Sequence, residues 1–110
     1  MWRADLGMPR GASPGYERPV VVIQSDTFNK TNIDSVIVAA ATTNLRLGVM
    51  PGNVRVASGI GGLREDSVVN ITQLFTIDKE DLIEFWGQLP SDTITQIDAG
   101  LRLVLHLKEN

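Results

Sequence analysis

Three runs of short, mostly β-branched side chains constrain this chain more than anything else in it. Residues 19–24 read Pro-Val-Val-Val-Ile-Gln, residues 35–42 Ser-Val-Ile-Val-Ala-Ala-Ala-Thr, and residues 67–76 Ser-Val-Val-Asn-Ile-Thr-Gln-Leu-Phe-Thr. Branching at Cβ crowds a helix and fits the pleat of a sheet, so each run predicts a strand. Pro19 stands at the first position of its run, where a missing N–H does least harm. The 35–42 run is apolar on both of its faces and predicts a strand buried on both sides. Weaker strands are expected at 2–6 and at 54–56, where Val54-Arg55-Val56 alternates. Between them lie a loop at 7–17 with three glycines and two prolines, a polar turn at 25–34 and a glycine-rich break at 58–62. Five or so short strands at this spacing suggest a small antiparallel β-barrel.

The pattern changes at Asp78. Asp78 reads as an N-cap with Glu80 and Asp81 in a first turn, and Leu82, Phe85 and Trp86 follow at helical spacing to Gly87, predicting a short helix. Pro90-Ser91-Asp92 opens a second, longer one. Its apolar residues Ile94, Ile97, Leu101 and Val104 or Leu105 form one stripe. The expected fold class is therefore mainly β with C-terminal α: one domain over 1–110, with strands in about 2–76 and helices in about 78–108.

Composition narrows the chemistry. The chain has 110 residues, no cysteine and one histidine. Disulfide frameworks, thiolate metal sites and cysteine nucleophiles are excluded, as is any site built from two imidazoles. No cofactor or metal is expected. Met1-Trp2-Arg3-Ala4-Asp5 does not read as an export signal, and the longest apolar run, 36–41, is far short of the roughly 20 residues a membrane span needs. The expectation is a cytoplasmic protein with no membrane partner. The formal charge of −3 conceals a division: residues 1–77 carry seven basic and six acidic side chains, residues 78–110 three basic and seven acidic. An anionic ligand should meet the first part.

Several conspicuous groups have plain readings. Gly59-Ile60-Gly61-Gly62 lacks the remaining residues of a nucleotide-binding loop and reads as a turn. Asp78, Glu80, Asp81 and Glu84 suit a helix start better than a metal site. His106 reads as a half-exposed helix residue and Trp86 as a core or interface anchor.

One ordered constellation is more informative. Gly11-Ala12-Ser13-Pro14-Gly15-Tyr16-Glu17-Arg18-Pro19-Val20-Val21-Val22 is followed by Ala40-Ala41-Thr42-Thr43-Asn44, by Gly62-Leu63-Arg64-Glu65-Asp66-Ser67-Val68-Val69, and by Thr76-Ile77-Asp78-Lys79. From Trp2 to about Leu82 this resembles the MazF/PemK family of toxin endoribonucleases. The resemblance implies a compact SH3-like barrel, a homodimer, and metal-independent, sequence-selective cleavage of single-stranded RNA. It also implies a cognate antitoxin whose disordered acidic tail covers the RNA groove. By matching positions it places the catalytic arginine at Arg18 and the catalytic threonine at Thr42. Ser13, Glu17, Thr43 and Ser67 become RNA-binding candidates, with Ser67 supporting either the site or the fold. The chain departs from the pattern in three places. Met1 stands almost directly before Trp2, so either the first strand is short or this start is internal to a longer chain; Ser13 occupies a position often acidic; and Phe75 occupies one that is often basic.

The chemistry is consistent with those residue types. Metal-free RNA cleavage needs a 2′-hydroxyl to attack the adjacent phosphorus while charge builds on the non-bridging oxygens. Arg18 offers a planar fork that can grip phosphate at two points, and Thr42 offers one further donor. Donors aimed at developing charge contribute about 3–4 kcal/mol each. A guanidinium holds its proton too tightly to shuttle it at neutral pH, so Arg18 is assigned charge stabilisation first and proton transfer second. Antiparallel pairing of the 19–24 and 35–42 strands about a turn near residue 30 would bring Arg18 and Thr42 to the same sheet edge. The sequence also admits two other readings: a non-enzymatic toxin of the same fold that inhibits DNA gyrase, and a catalytically weakened relative that still binds an antitoxin.

Overall fold

Strand β3 (Ser35–Thr42) is the spine of the molecule. The computed structural model describes residues 1–7, 16–23 and 31–107. Within them β1 (Trp2–Asp5), β2 (Glu17–Val22), β3, β4 (Val54–Val56), β5 (Ser67–Asp78) and β6 (Leu82–Phe85) form one sheet in the order β4-β5-β3-β2-β1-β6. Every neighbouring pair is antiparallel. The sheet ends at β4 and β6 without closing, so the expected barrel is realised as an open, mainly β architecture with a C-terminal helix, α1 (Ser91–Val104).

The two faces of the sheet collect separate apolar clusters. Val21, Ala39, Val54, Val56, Val69 and Ile71 gather on one face, where Ile97 of α1 covers them with Leu101 and Val104. Ala4, Val20, Val36 and Val38 gather on the other with Trp2, Val22, Phe75, Ile77 and Leu82. Strand alternation explains the division: Val20 and Val21 are adjacent in sequence and enter different clusters. Val36, Val38, Ala39, Ala40 and Ala41 are buried, as the doubly apolar run predicts, whereas Ile37 is 37% exposed. Ile71, Val20, Val36, Val38, Val68 and Val69 are the largest fully buried side chains, each stabilising the fold by about 1.5–3 kcal/mol.

β5 serves two partners. Its first part pairs with β4 and with the end of β3 (Thr42↔Val68), and its second part with the start of β3 (Ala39↔Leu74). The register shifts between Ala39 and Ala41, which lets one strand bend across both clusters. Asn53 stitches this bend, accepting the Ile71 N–H at 2.9 Å and donating to the Leu47 carbonyl at 3.0 Å.

The short helix expected after Asp78 is not formed. A single 3-10 turn (Lys79–Asp81) is followed by β6, which pairs with β1 through Trp2↔Phe85 and Arg3↔Glu84. The spacing of Leu82, Phe85 and Trp86 mimics a helix, but these residues face an open strand edge far away in sequence. Ladder hydrogen bonds and the edge-to-face contact of Trp2 with Phe85, centroids 5.2 Å apart, favour extension.

The longer helix forms where expected, with its buried face rotated. Thr93, Ile97 and Gly100 are buried, Leu101 and Val104 are half-buried, and Ile94 and Leu105 are exposed. Gly100 sets the rotation: a Cβ there would lie 2.2 Å from the Gly52 carbonyl oxygen. Only a glycine lets the helix backbone approach the 51–52 turn this closely. His106 lies beyond α1 with φ 57°, where the Leu107 N–H donates to the Arg102 carbonyl at 2.8 Å. It terminates the helix instead of belonging to it.

Candidate active site

Arg18 and Thr42 lie on β2 and β3, which pair without a register shift. Val20 faces Ala40, Val21 faces Ala39 and Val22 faces Val38. Continued two residues along each strand, this register puts Arg18 opposite Thr42. The hydrogen-bonded register with β3 begins just after Pro19, which has no N–H to give to a ladder. On its other side Arg18 pairs with Ala4, and Thr42 pairs in turn with Val68. Opposed residues of an antiparallel pair share a face, so Arg18 and Thr42 stand on the Val20 face, away from α1.

Each side chain retains donor capacity. Arg18 is half-buried, and its Nε is shielded from solvent with no hydrogen-bond partner among the described residues. A buried donor without an acceptor is costly, about 1–3 kcal/mol or more when charged, and an incoming anion relieves that cost. Thr42 Oγ1 accepts the Asn44 N–H at 3.1 Å, which fixes the hydroxyl oxygen and leaves its O–H free to donate. Asn44 Oδ1 accepts the Arg46 N–H at 3.3 Å and opens the 3-10 turn Leu45–Val49. Thr43 is exposed at the bend between them.

The remaining candidates separate. Glu17 precedes Arg18 in sequence, but alternation sends it to the opposite face, where its carboxylate pairs with the Arg3 guanidinium. The structure does not bring Glu17 to Arg18. Ser67 is buried beside Val68, and its hydroxyl donates to the Glu65 carbonyl at 3.0 Å; this supports the strand entry under Thr42. Ser13 lies outside the described residues. Among the described residues on either side of it, the Tyr16 N–H donates to the Gly7 carbonyl and the Leu6 N–H to the Tyr16 carbonyl. Tyr16 has φ 59° and is 61% exposed, so a strained backbone presents an aromatic ring two residues before Arg18.

The carboxylates expected at a helix start do not share one helix. Glu84 accepts the Trp86 indole N–H at 2.6 Å on β6, while Asp78 ends β5. Among the described residues no three His, Asp or Glu side chains assemble into a metal-binding group, and no helix is long and apolar enough to cross a membrane. Trp86 is half-buried against the first cluster with the Arg64 guanidinium 5.9 Å from its ring centroid. Sequence reasoning did not single out Tyr16 or Arg55. Both were visible as an exposed aromatic and a basic residue beside site segments, but only the register relates Arg55 to Arg18.

Comparison with known proteins gives a consistent picture. Residues 1–105 match the family model of the PemK-like, MazF-like toxins of type II toxin–antitoxin systems. The chain is 45% identical over 104 residues to Endoribonuclease MazF2 of Mycobacterium bovis and to Endoribonuclease MazF6 of Mycobacterium tuberculosis, spanning 94% of this chain and 91% of each relative. Its fold is similar to the Mycobacterium tuberculosis toxin MazF-mt6, with a TM-score of 0.80 and 21% identity over 99% of this chain and 100% of that one. It is likewise similar to a mycobacterial endoribonuclease solved in complex with its cognate antitoxin, with a TM-score of 0.79 and 21% identity over 99% and 93% of the two chains.

Proposed function

Because the chain belongs to the family of PemK-like, MazF-like toxins of type II toxin–antitoxin systems, we propose that it is an endoribonuclease that cleaves single-stranded RNA without a metal ion. The observation that carries this reading is the Nε of Arg18, buried and without a partner among the described residues, on the strand that pairs with that of Thr42. The names of the relatives, endoribonucleases at 45% identity, support it.

The chemistry follows from the two donors. The ribose 2′-oxygen bonds to the adjacent phosphorus as the bond from phosphorus to the 5′-oxygen breaks. The 2′-proton is lost to solvent, and the departing 5′-oxygen takes a proton up. The products are a 2′,3′-cyclic phosphate and a 5′-hydroxyl. Arg18 straddles the non-bridging oxygens as their charge grows, and the Thr42 hydroxyl donates a further hydrogen bond. Thr43 and Ser13 contact neighbouring nucleotides, while Ser67 holds the strand beneath Thr42.

An antitoxin covers the same Arg18 and Thr42 site. The complex of a structurally similar endoribonuclease with its cognate antitoxin supports such a partner, and an acidic tail suits a site built on an arginine. The chain acts in the cytoplasm as a homodimer, burying the apolar side chains Leu103, Leu105 and Leu107 that stand exposed at the end of α1. Sequencing the 5′ ends of cellular RNA after incubation with pure protein in EDTA tests the reading. Discrete ends at a shared short motif support it. An unchanged RNA population, or cuts that require added metal, would refute it.

A further inference from the structure

The row of paired residues that joins Arg18 to Thr42 continues past them. Thr42 pairs with Val68 on β5, and Val68 pairs with Arg55 on β4. Arg55 is therefore in register with Thr42 two strands away, on the same face. Val54 and Val56, its neighbours in β4, point to the α1 side and are buried, whereas Arg55 is exposed. Across β2, β3, β5 and β4 the row spans three strand spacings, roughly 14 Å at about 4.8 Å each. A single-stranded backbone crosses that distance in a few nucleotides.

Arg55 is also held in place. A Cβ on Gly48 would lie 3.0 Å from Arg55 Cγ, 3.1 Å from its Cδ and 3.5 Å from Val68 Cγ2. The backbone of the 3-10 turn Leu45–Val49 thus lies over the aliphatic stem of Arg55, covering its apolar part and leaving the guanidinium at the surface. Among the described residues no carboxylate pairs with it. The Asn44 side chain that opens this turn follows Thr42 by two residues, so one short segment orients both the Thr42 hydroxyl and the Arg55 stem.

We propose that Arg55 is a second phosphate-binding residue, gripping an RNA phosphate a few nucleotides from the one held by Arg18 and Thr42 and so fixing the strand's path across the sheet. The inference rests on the RNA-cleaving function proposed above. Arg55 binds and positions; it does not touch the reacting atoms. Its loss therefore weakens binding and raises KM while leaving kcat nearly unchanged.

The test uses Arg55→Met, which keeps the stem and removes the charge, and Arg55→Lys, which keeps the charge. The probe is a fluorescein-labelled, mixed-sequence 2′-O-methyl oligoribonucleotide, which cannot be cleaved, titrated over a range of salt concentrations. A charged hydrogen bond contributes about 1.5 kcal/mol or more, so Arg55→Met should bind about tenfold more weakly. Its salt dependence should be shallower by about 0.7 in log–log slope, while Arg55→Lys keeps the wild-type slope. On cleavable RNA, Arg55→Met should raise KM about tenfold with kcat within about threefold of wild type. If wild type binds and cleaves RNA while Arg55→Met matches it in affinity and slope, the inference is overturned and the ribonuclease reading stands. Self-association of Arg55→Met with RNA affinity intact overturns it in the same way, assigning Arg55 to guarding the sheet edge. A loss confined to a glutamate-rich peptide overturns it and gives Arg55 to the antitoxin. If wild type neither binds nor cleaves, the ribonuclease reading falls and this inference with it.

Discussion

Val20 of β2 faces Ala40 of β3, and the same register extended two residues along each strand sets Arg18 opposite Thr42. The unshifted pairing of β2 with β3 thus links the two residues that the family resemblance singles out. A one-residue slip would send Arg18 to the α1 face and separate the pair. The valines and alanines around it hold the register because each face of β2 and β3 is buried in its own cluster.

Thr42→Val removes the hydroxyl and keeps the branched shape. It should lower cleavage about tenfold, the order expected for one neutral hydrogen bond in the transition state. Its melting temperature should stay close to that of wild type. Single-turnover cleavage beside a thermal melt checks both.

Glu17→Gln should leave cleavage within about threefold of wild type, because Glu17 pairs with Arg3 on the face away from Arg18. Both side chains are substantially exposed, 36% and 53%, so the stability change should stay under about 1 kcal/mol. A large loss of activity at unchanged stability would place the carboxylate in the site.

Gly100→Ala tests the contact between α1 and the sheet. Helix propensity alone predicts a gain of about 1 kcal/mol. The new Cβ would meet the Gly52 carbonyl oxygen at 2.2 Å, and neither partner is a side chain that can swing aside. Overpacking of about 1–3 kcal/mol should prevail, so the variant melts at a lower temperature. A rise in melting temperature would contradict the observed packing.

His106→Gly should act in the other direction. The φ of 57° is strained for histidine and free for glycine, and relief of that strain should stabilise the protein by up to about 1 kcal/mol. Urea denaturation with an unchanged m-value measures it.

The sequence was most legible where local chemistry and long-range packing agreed. The 35–42 run became β3 with the expected bounds, and Pro90-Ser91 marked the start of α1. Leu82, Phe85 and Trp86 recur at helical spacing and mask β6 as a helix; its partner β1 lies at the other end of the chain, outside any local window. The rotation of α1 was hidden for a similar reason. A stripe drawn through Ile94 and Leu105 maximises apolar side chains, whereas the contact that decides the packing involves Gly100, which has none. Within the site, adjacency in sequence misled for Glu17, since neighbours on a strand point apart. Arg55 could not be related to Arg18 at all until the order β4-β5-β3-β2 was known.

The most direct test of the proposed chemistry is cleavage of a labelled single-stranded RNA in EDTA by wild type and by Arg18→Ala, with product ends identified by mass. The wild type should cut and leave a 2′,3′-cyclic phosphate. Arg18→Ala should remain folded and cut at least about 100-fold more slowly, as expected for loss of a charged transition-state donor. A folded Arg18→Ala protein that cuts at the wild-type rate, or a wild type silenced by EDTA and restored by a divalent metal, would contradict metal-free cleavage at Arg18 and Thr42.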